Sequence, residues 1–105
     1  MNERRKKDLE AGGWRVGDAA EFLGLTSEEA AFVEVKLALA RQLRELRQTR
    51  GWTQNAVAAR LGSSQSRVAK MEASDSSVSL DLIVRSLLAL GATCAEVGRT
   101  IAQAA

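Results

Sequence analysis

The sequence predicts an all-α chain, and three observations carry that prediction. Its 105 residues contain no proline, the residue least tolerated inside a helix, and are rich in alanine, leucine and arginine. Apolar residues recur at three- and four-residue steps, the spacing of one helix face. Capping-box pairs stand at Asp18–Glu21, Thr26–Glu29 and Thr93–Glu96, and glycines follow the periodic stretches.

Residues 1–12 read as a charged, mobile arm that gives way to Gly12-Gly13. Its Arg4-Arg5-Lys6-Lys7 run suits a DNA backbone, but a solvated terminus is the simpler reading. Trp14-Arg15-Val16 alternates apolar and polar, as an extended segment does. A short helix is expected next, capped by Asp18, running through Ala19, Ala20, Phe22 and Leu23, and stopping at Gly24.

The longest helix is expected to start at the Thr26–Glu29 capping box and run to Arg50, with Gly51 as its stop. Phe32, Val35, Leu39, Leu43 and Leu46 form one apolar stripe on it. Val33, Leu37 and Ala40 form a second, shorter one. The second stripe needs a cover. Trp14 to Leu25 folding back is the simplest, and a partner protein or a second copy is the alternative.

The stretch Thr53–Glu72 reads as two short helices joined by a tight turn. Thr53 can cap the first, with Trp52 and Val57 spaced as a hydrophobic staple. Ala58 is small enough for close helix approach, and Gly62 suits the left-handed residue that ends a helix. Ser63 and Ser64 both suit an N-cap; Ser64 is preferred because it starts the second helix at Gln65. Val68, Ala69 and Met71 then face inward, leaving Gln65, Ser66, Arg67 and Lys70 outside. These four can bond to bases or phosphates.

Ala73 to Ser77 is a polar loop. Ser79 caps a helix that is apolar nearly all round (Leu80, Leu82, Ile83, Val84, Leu87, Leu88, Leu90), with Asp81 in its first turn and Gly91 as its stop. Such a helix must be buried on more than one side, and self-association is one way to do it. A last helix follows the Thr93–Glu96 capping box, carrying Val97, Ile101 and a bystander, Cys94.

The segment WTQNAVAARLGSSQSRVAKME resembles the helix-turn-helix of the lambda-repressor/Cro (Xre-type) DNA-binding family, through Gln54, Ala58, Leu61, Gly62, Ser64-Gln65-Ser66, Val68 and Glu72. The resemblance spans Val35 to Leu90 and implies an all-α, lambda-repressor-like five-helix DNA-binding domain with an N-terminal helical extension. It divides the chain into an arm and extension, residues 1–34, and a domain with its C-terminal helix, residues 35–105. In that family the glutamine matching Gln54 contacts phosphate, and the residues matching Gln65, Ser66, Arg67 and Lys70 meet base edges or phosphates. Gln65 is read as an adenine contact, and Arg67 as a guanine contact or a phosphate clamp in equal measure. The candidate DNA-binding set also takes in the cap residues Thr53 and Ser64, and Arg50 beside the turn. Arg41, Arg44 and Arg47 read as a solvated helix face. Ala73-Ser74 departs from the family, which places a glycine soon after the glutamate, so a different exit from the second helix is expected.

Charge supports this reading. Net charge is only +2, yet residues 35–72 hold eight cations against Glu45 and Glu72, while both flanks are net anionic. A cationic middle suits a phosphate-binding face. The absence of histidine and the single cysteine remove most zinc sites and Ser-His or Cys-His nucleophiles. Glu21, Glu28, Glu29 and Glu34 lie at helix starts, where capping explains them, so no enzyme and no cofactor is expected. No apolar run approaches 18 residues, and no apolar stretch follows the charged start, so a cytoplasmic protein without membrane contact is expected.

The expected function is a dimeric transcription regulator, in the first instance a repressor, acting on operator DNA. The resemblance extends to the antitoxins of toxin–antitoxin operons, of the host-inhibition-of-growth type, through EFLGLTSEEAAFVEVKLALARQLRELR. It implies a small basic toxin as a partner for residues 1–34. A phage-type repressor without a toxin is the alternative.

Overall fold

The computed structural model describes residues 24–104. The expected arm, the Trp14 segment and the helix from Asp18 lie outside the described residues. Five helices are present and, among the described residues, no strand: α1 Ser27–Thr49, α2 Gln54–Leu61, α3 Gln65–Glu72, α4 Leu80–Ala89 and α5 Cys94–Gln103. The fold is all-α, consistent with a lambda-repressor-like domain.

The chain divides into two units, Met1–Glu34 and Val35–Ala105. In the first, Thr26 and Glu29 form the expected capping box: Glu29 N donates to Thr26 Oγ1 at 3.1 Å, and Thr26 N to Glu29 Oε1 at 2.8 Å. The bond from the Thr26 backbone, and then that to its side chain, hold the Glu29 carboxyl below the usual glutamate range. Phe32, the upstream end of the apolar stripe, is 52% exposed.

The second unit builds its core where the stripes meet. Leu39, Ala40 and Leu43 of α1 pack with Val57 and Ala58 of α2 and Val68 and Met71 of α3. Val78, Ile83, Leu87, Leu90, Ala92 and Val97 complete it. Val35 and Leu46 lie partly buried against that cluster. α1 ends one residue before the expected Arg50, because the backbone reverses at Gly51, whose φ is +71°. There Trp52 N donates to the Arg47 carbonyl at 3.0 Å.

α4 meets most of its burial requirement within the chain. Ile83, Ser86 and Leu87 are buried, and Leu80, Leu82 and Val84 pack partly on the core, while Leu88 stays 40% exposed. Its cap is Ser79, as expected, with Oγ accepting from Leu82 N at 3.0 Å. α5 starts at the reciprocal Thr93–Glu96 capping box. Bonds from the Thr93 backbone and side chain, with lesser help from Arg99 and Arg50, hold the Glu96 carboxyl low. Among the described residues no helix is long and apolar enough to cross a membrane.

Candidate nucleic-acid interface

Local chemistry sets the turn between α2 and α3. Thr53 is extended (φ −80°, ψ 166°), and its Oγ1 accepts from Ala56 N at 3.0 Å. Gly62 takes the left-handed conformation (φ 65°, ψ 38°), with Gly62 N donating to the Ala59 carbonyl and Ser63 N to that of Ala58. The cap of α3 falls to Ser64 rather than Ser63: Ser64 Oγ accepts from Arg67 N at 3.1 Å. Both cap hydroxyls keep their O–H as a donor on an exposed residue. Ser64→Ala should cost about 1 kcal/mol of stability, read by urea unfolding; no loss would show that Ser64 Oγ does not hold the start of α3.

α3 has the sidedness expected of it. Val68 and Met71 are buried and Ala69 is half-buried, whereas Gln65, Ser66, Arg67 and Lys70 are exposed. Ser86 Oγ donates to Met71 Sδ at 3.4 Å, tying the inner face of α3 to α4.

Behind the outer face runs a chain of side-chain bonds that periodicity did not reveal. Arg47 of α1 forks onto Glu72 of α3: Nε donates to Oε2 at 2.6 Å and Nη2 to Oε1 at 3.0 Å. Arg47 Nη1 donates to the Trp52 carbonyl at 3.1 Å. Gln54 Nε2 donates to the same Glu72 Oε1 at 3.1 Å, and Gln65 Nε2 donates to Gln54 Oε1 at 2.6 Å. Side-chain exposure is 15% for Arg47 and 5% for Glu72. The bond to Glu72 pushes the Arg47 guanidinium further up, against the opposing effect of burial.

Arg47 is therefore not part of a solvated face. Sequence did hold a signal for it. Arg47 lies four residues after Leu43, and Glu72 four after Val68, so opposite charges occupy the inward phase of both helices. Arg41 and Arg44 are exposed, as expected.

The structure joins Gln54 to Gln65 and leaves Ser66, Arg67 and Lys70 outward beside them. Arg50 is directed elsewhere. Its guanidinium stands 5.3 Å from the Trp52 ring centre, and a Cβ at Gly91 would come within 3.2 Å of its Nη2. Arg60 lies over the same ring at 4.0 Å, a cation–π contact the sequence reading missed.

At the exit from α3 the backbone takes a left-handed step. Here Ser74 supplies it, with φ 54°. Neighbouring bonds hold it in place: Ser74 N donates to the Met71 carbonyl and Asp75 N to that of Lys70. Ser77 N donates to Asp75 Oδ1 at 2.8 Å, and Lys36 Nζ to the Asp75 carbonyl at 3.0 Å. Bonding to Ser77 holds the Asp75 carboxyl below its usual range, with smaller help from Lys70 and Lys36.

Among the described residues no cluster of His, Cys, Asp or Glu could hold a metal ion. What remains on this face is a set of hydrogen-bond donors and acceptors on a rigid pair of helices, with cations beside them. No curated protein and no solved structure matches the chain. A helix-turn-helix domain family does match, over residues 38–104, and so includes α5, beyond the Leu90 limit of the resemblance read from sequence. With nearly two thirds of its length matched, and with α2, turn and α3 in this geometry, the chain belongs to the helix-turn-helix domain family, a DNA-binding class of domain.

Proposed function

We propose that this protein is a sequence-specific transcription repressor that inserts α3 into the major groove of double-stranded DNA. The observation that carries the reading is the sidedness of α3, whose inner residues are locked in the core while Gln65, Ser66, Arg67 and Lys70 are exposed. Gln65 and Arg67 read bases, Lys70 and Ser66 meet bases or flanking phosphates, and Gln54 meets phosphate at the start of α2. Gln54 keeps a second N–H after its bond to Glu72, so phosphate contact and the internal bond are compatible. Thr53 and Ser64 add hydroxyl donors. Arg50 reaches phosphate only by leaving Trp52 and Gly91.

A homodimer would place two α3 helices about one helical turn apart on a palindromic operator. Repression then follows from occupancy. Within this reading the anionic residues 1–34 favour an antitoxin, paired with a small basic toxin, over a phage-type repressor. A neighbouring gene for such a basic protein separates the two.

The test is binding to duplexes selected from a random pool, titrated across salt, for wild type and Gln65→Ala/Arg67→Ala. The double variant should lose about 100-fold or more in preference for selected over random DNA while keeping its salt-dependent random binding. A wild type that prefers no sequence over random at any salt would sink the proposal.

A further inference from the structure

We infer that Glu72, which is shielded from solvent and from the outer face of α3, is a specificity-determining positioning residue that makes Gln65 select adenine over guanine. The inference rests on the proposed reading of bases by α3. Its basis is the direction in which hydrogen bonds must run along Arg47, Glu72, Gln54 and Gln65.

A carboxylate only accepts. Both Glu72 oxygens already accept from Arg47, and Oε1 also faces the Gln54 amide at 3.1 Å. The Gln54 atom at that position must be its nitrogen. Gln54 therefore turns its oxygen to Gln65, and the 2.6 Å contact requires a Gln65 N–H. The orientation of each amide follows from chemistry, with no freedom to flip. One Gln65 N–H is consumed. In this inference Gln54 takes the N–H that points away from Gln65 Oε1, so the other N–H and Oε1 remain side by side on one amide edge.

That edge offers a donor beside an acceptor. Adenine presents N7, an acceptor, beside its N6 amino donor in the major groove, whereas guanine presents two acceptors. Reversed, the Gln65 amide would accept from Gln54 and present an NH₂ group outward, which suits guanine. Glu72 forbids the reversal through Gln54, and Arg47 holds the Glu72 carboxylate in place. Glu72 thus acts on a base through two intervening side chains.

The experiment selects duplexes from a random pool with the full chain and locates the base pair whose preference disappears in Gln65→Ala. Affinity for duplexes bearing adenine or guanine there is then measured for wild type, Arg47→Met/Glu72→Gln and Gln54→Met. The first variant replaces the carboxylate with an amide that can face either way and removes the charge that would otherwise be left alone. The second leaves the Arg47–Glu72 pair intact and cuts the link. Wild type should favour adenine about tenfold or more, and both variants should bring the ratio close to one. A change in affinity that falls equally on both duplexes leaves the ratio untouched. A purely structural role for Glu72 would lower the melting temperature and leave the ratio where it was. Retention of the adenine preference by either folded variant overturns the inference. If Arg47→Met/Glu72→Gln does not fold, Gln54→Met decides alone. A Gln65-dependent preference for a base other than adenine overturns it as well. Absence of any Gln65-dependent base pair in wild type is a different result: it removes the reading of α3 on which the inference stands.

Discussion

Glu72→Ala is expected to destabilise the folded domain by about 3–5 kcal/mol, the cost of leaving a shielded guanidinium without its carboxylate. Glu72 accepts three bonds within 3.1 Å, two from Arg47 and one from Gln54, and its side chain is only 5% exposed. Removing it leaves Arg47 with the Trp52 carbonyl alone among these partners. The charge cannot be shed, because arginine stays protonated across the whole working pH range. A chain of this size has a total stability of about 5–15 kcal/mol, so the loss is a large share. Urea unfolding of Glu72→Ala, Arg47→Met and Arg47→Met/Glu72→Met measures it. The double variant should recover much of the loss, because an apolar pair has no charge to strand. A loss below about 1 kcal/mol in Glu72→Ala would mean that water solvates the guanidinium after all.

Leu43→Ala should cost about 2–5 kcal/mol, combining lost apolar burial with the cavity left behind. Leu43 is fully buried on α1 and belongs to the cluster that α2, α3 and α4 share. Ridges from three helices meet there, so the neighbours have little freedom to collapse into the space. Thermal unfolding should show a midpoint lowered by roughly 10–40 °C, given about 4–8 °C per kcal/mol for a small domain. DNA binding measured well below that midpoint should stay close to wild type, since Leu43 lies away from the outer face of α3. A small stability loss would instead show that the core repacks around alanine.

Much of this molecule was legible before its structure. Thr53, Ser64, Ser79 and Thr93 all cap the helices their positions suggested, and Gly51, Gly62 and Gly91 take the left-handed turns at the ends of α1, α2 and α4. These are local matters. A cap needs a hydroxyl three residues from its amide, and a left-handed residue needs a missing Cβ. The inner and outer faces of α3 were equally readable, because period 3.6 alone assigns them.

Arg47 shows where that kind of reading stops. It lies 25 residues from Glu72 along the chain, and as one arginine among three on α1 it looked like solvent-facing charge. Its phase pointed inward, but whether an inward cation is paired depends on what another helix brings to it. The same holds for Arg50, before α2, and Arg60, in its last turn, which converge on Trp52. At Ser74 the local rule itself was overridden. A residue with a Cβ takes the position that favours glycine because flanking bonds from Ser74, Asp75 and Lys36 over-determine the loop.

Sequence by itself determined the helices, their caps, the turn between α2 and α3, and the four outward residues of α3, because each depends on contacts within about one turn of chain. Tertiary structure alone decided that Arg47, Glu72, Gln54 and Gln65 form one hydrogen-bonded line. Three helices must pack before a buried carboxylate can orient an exposed amide, and no local spacing encodes that meeting.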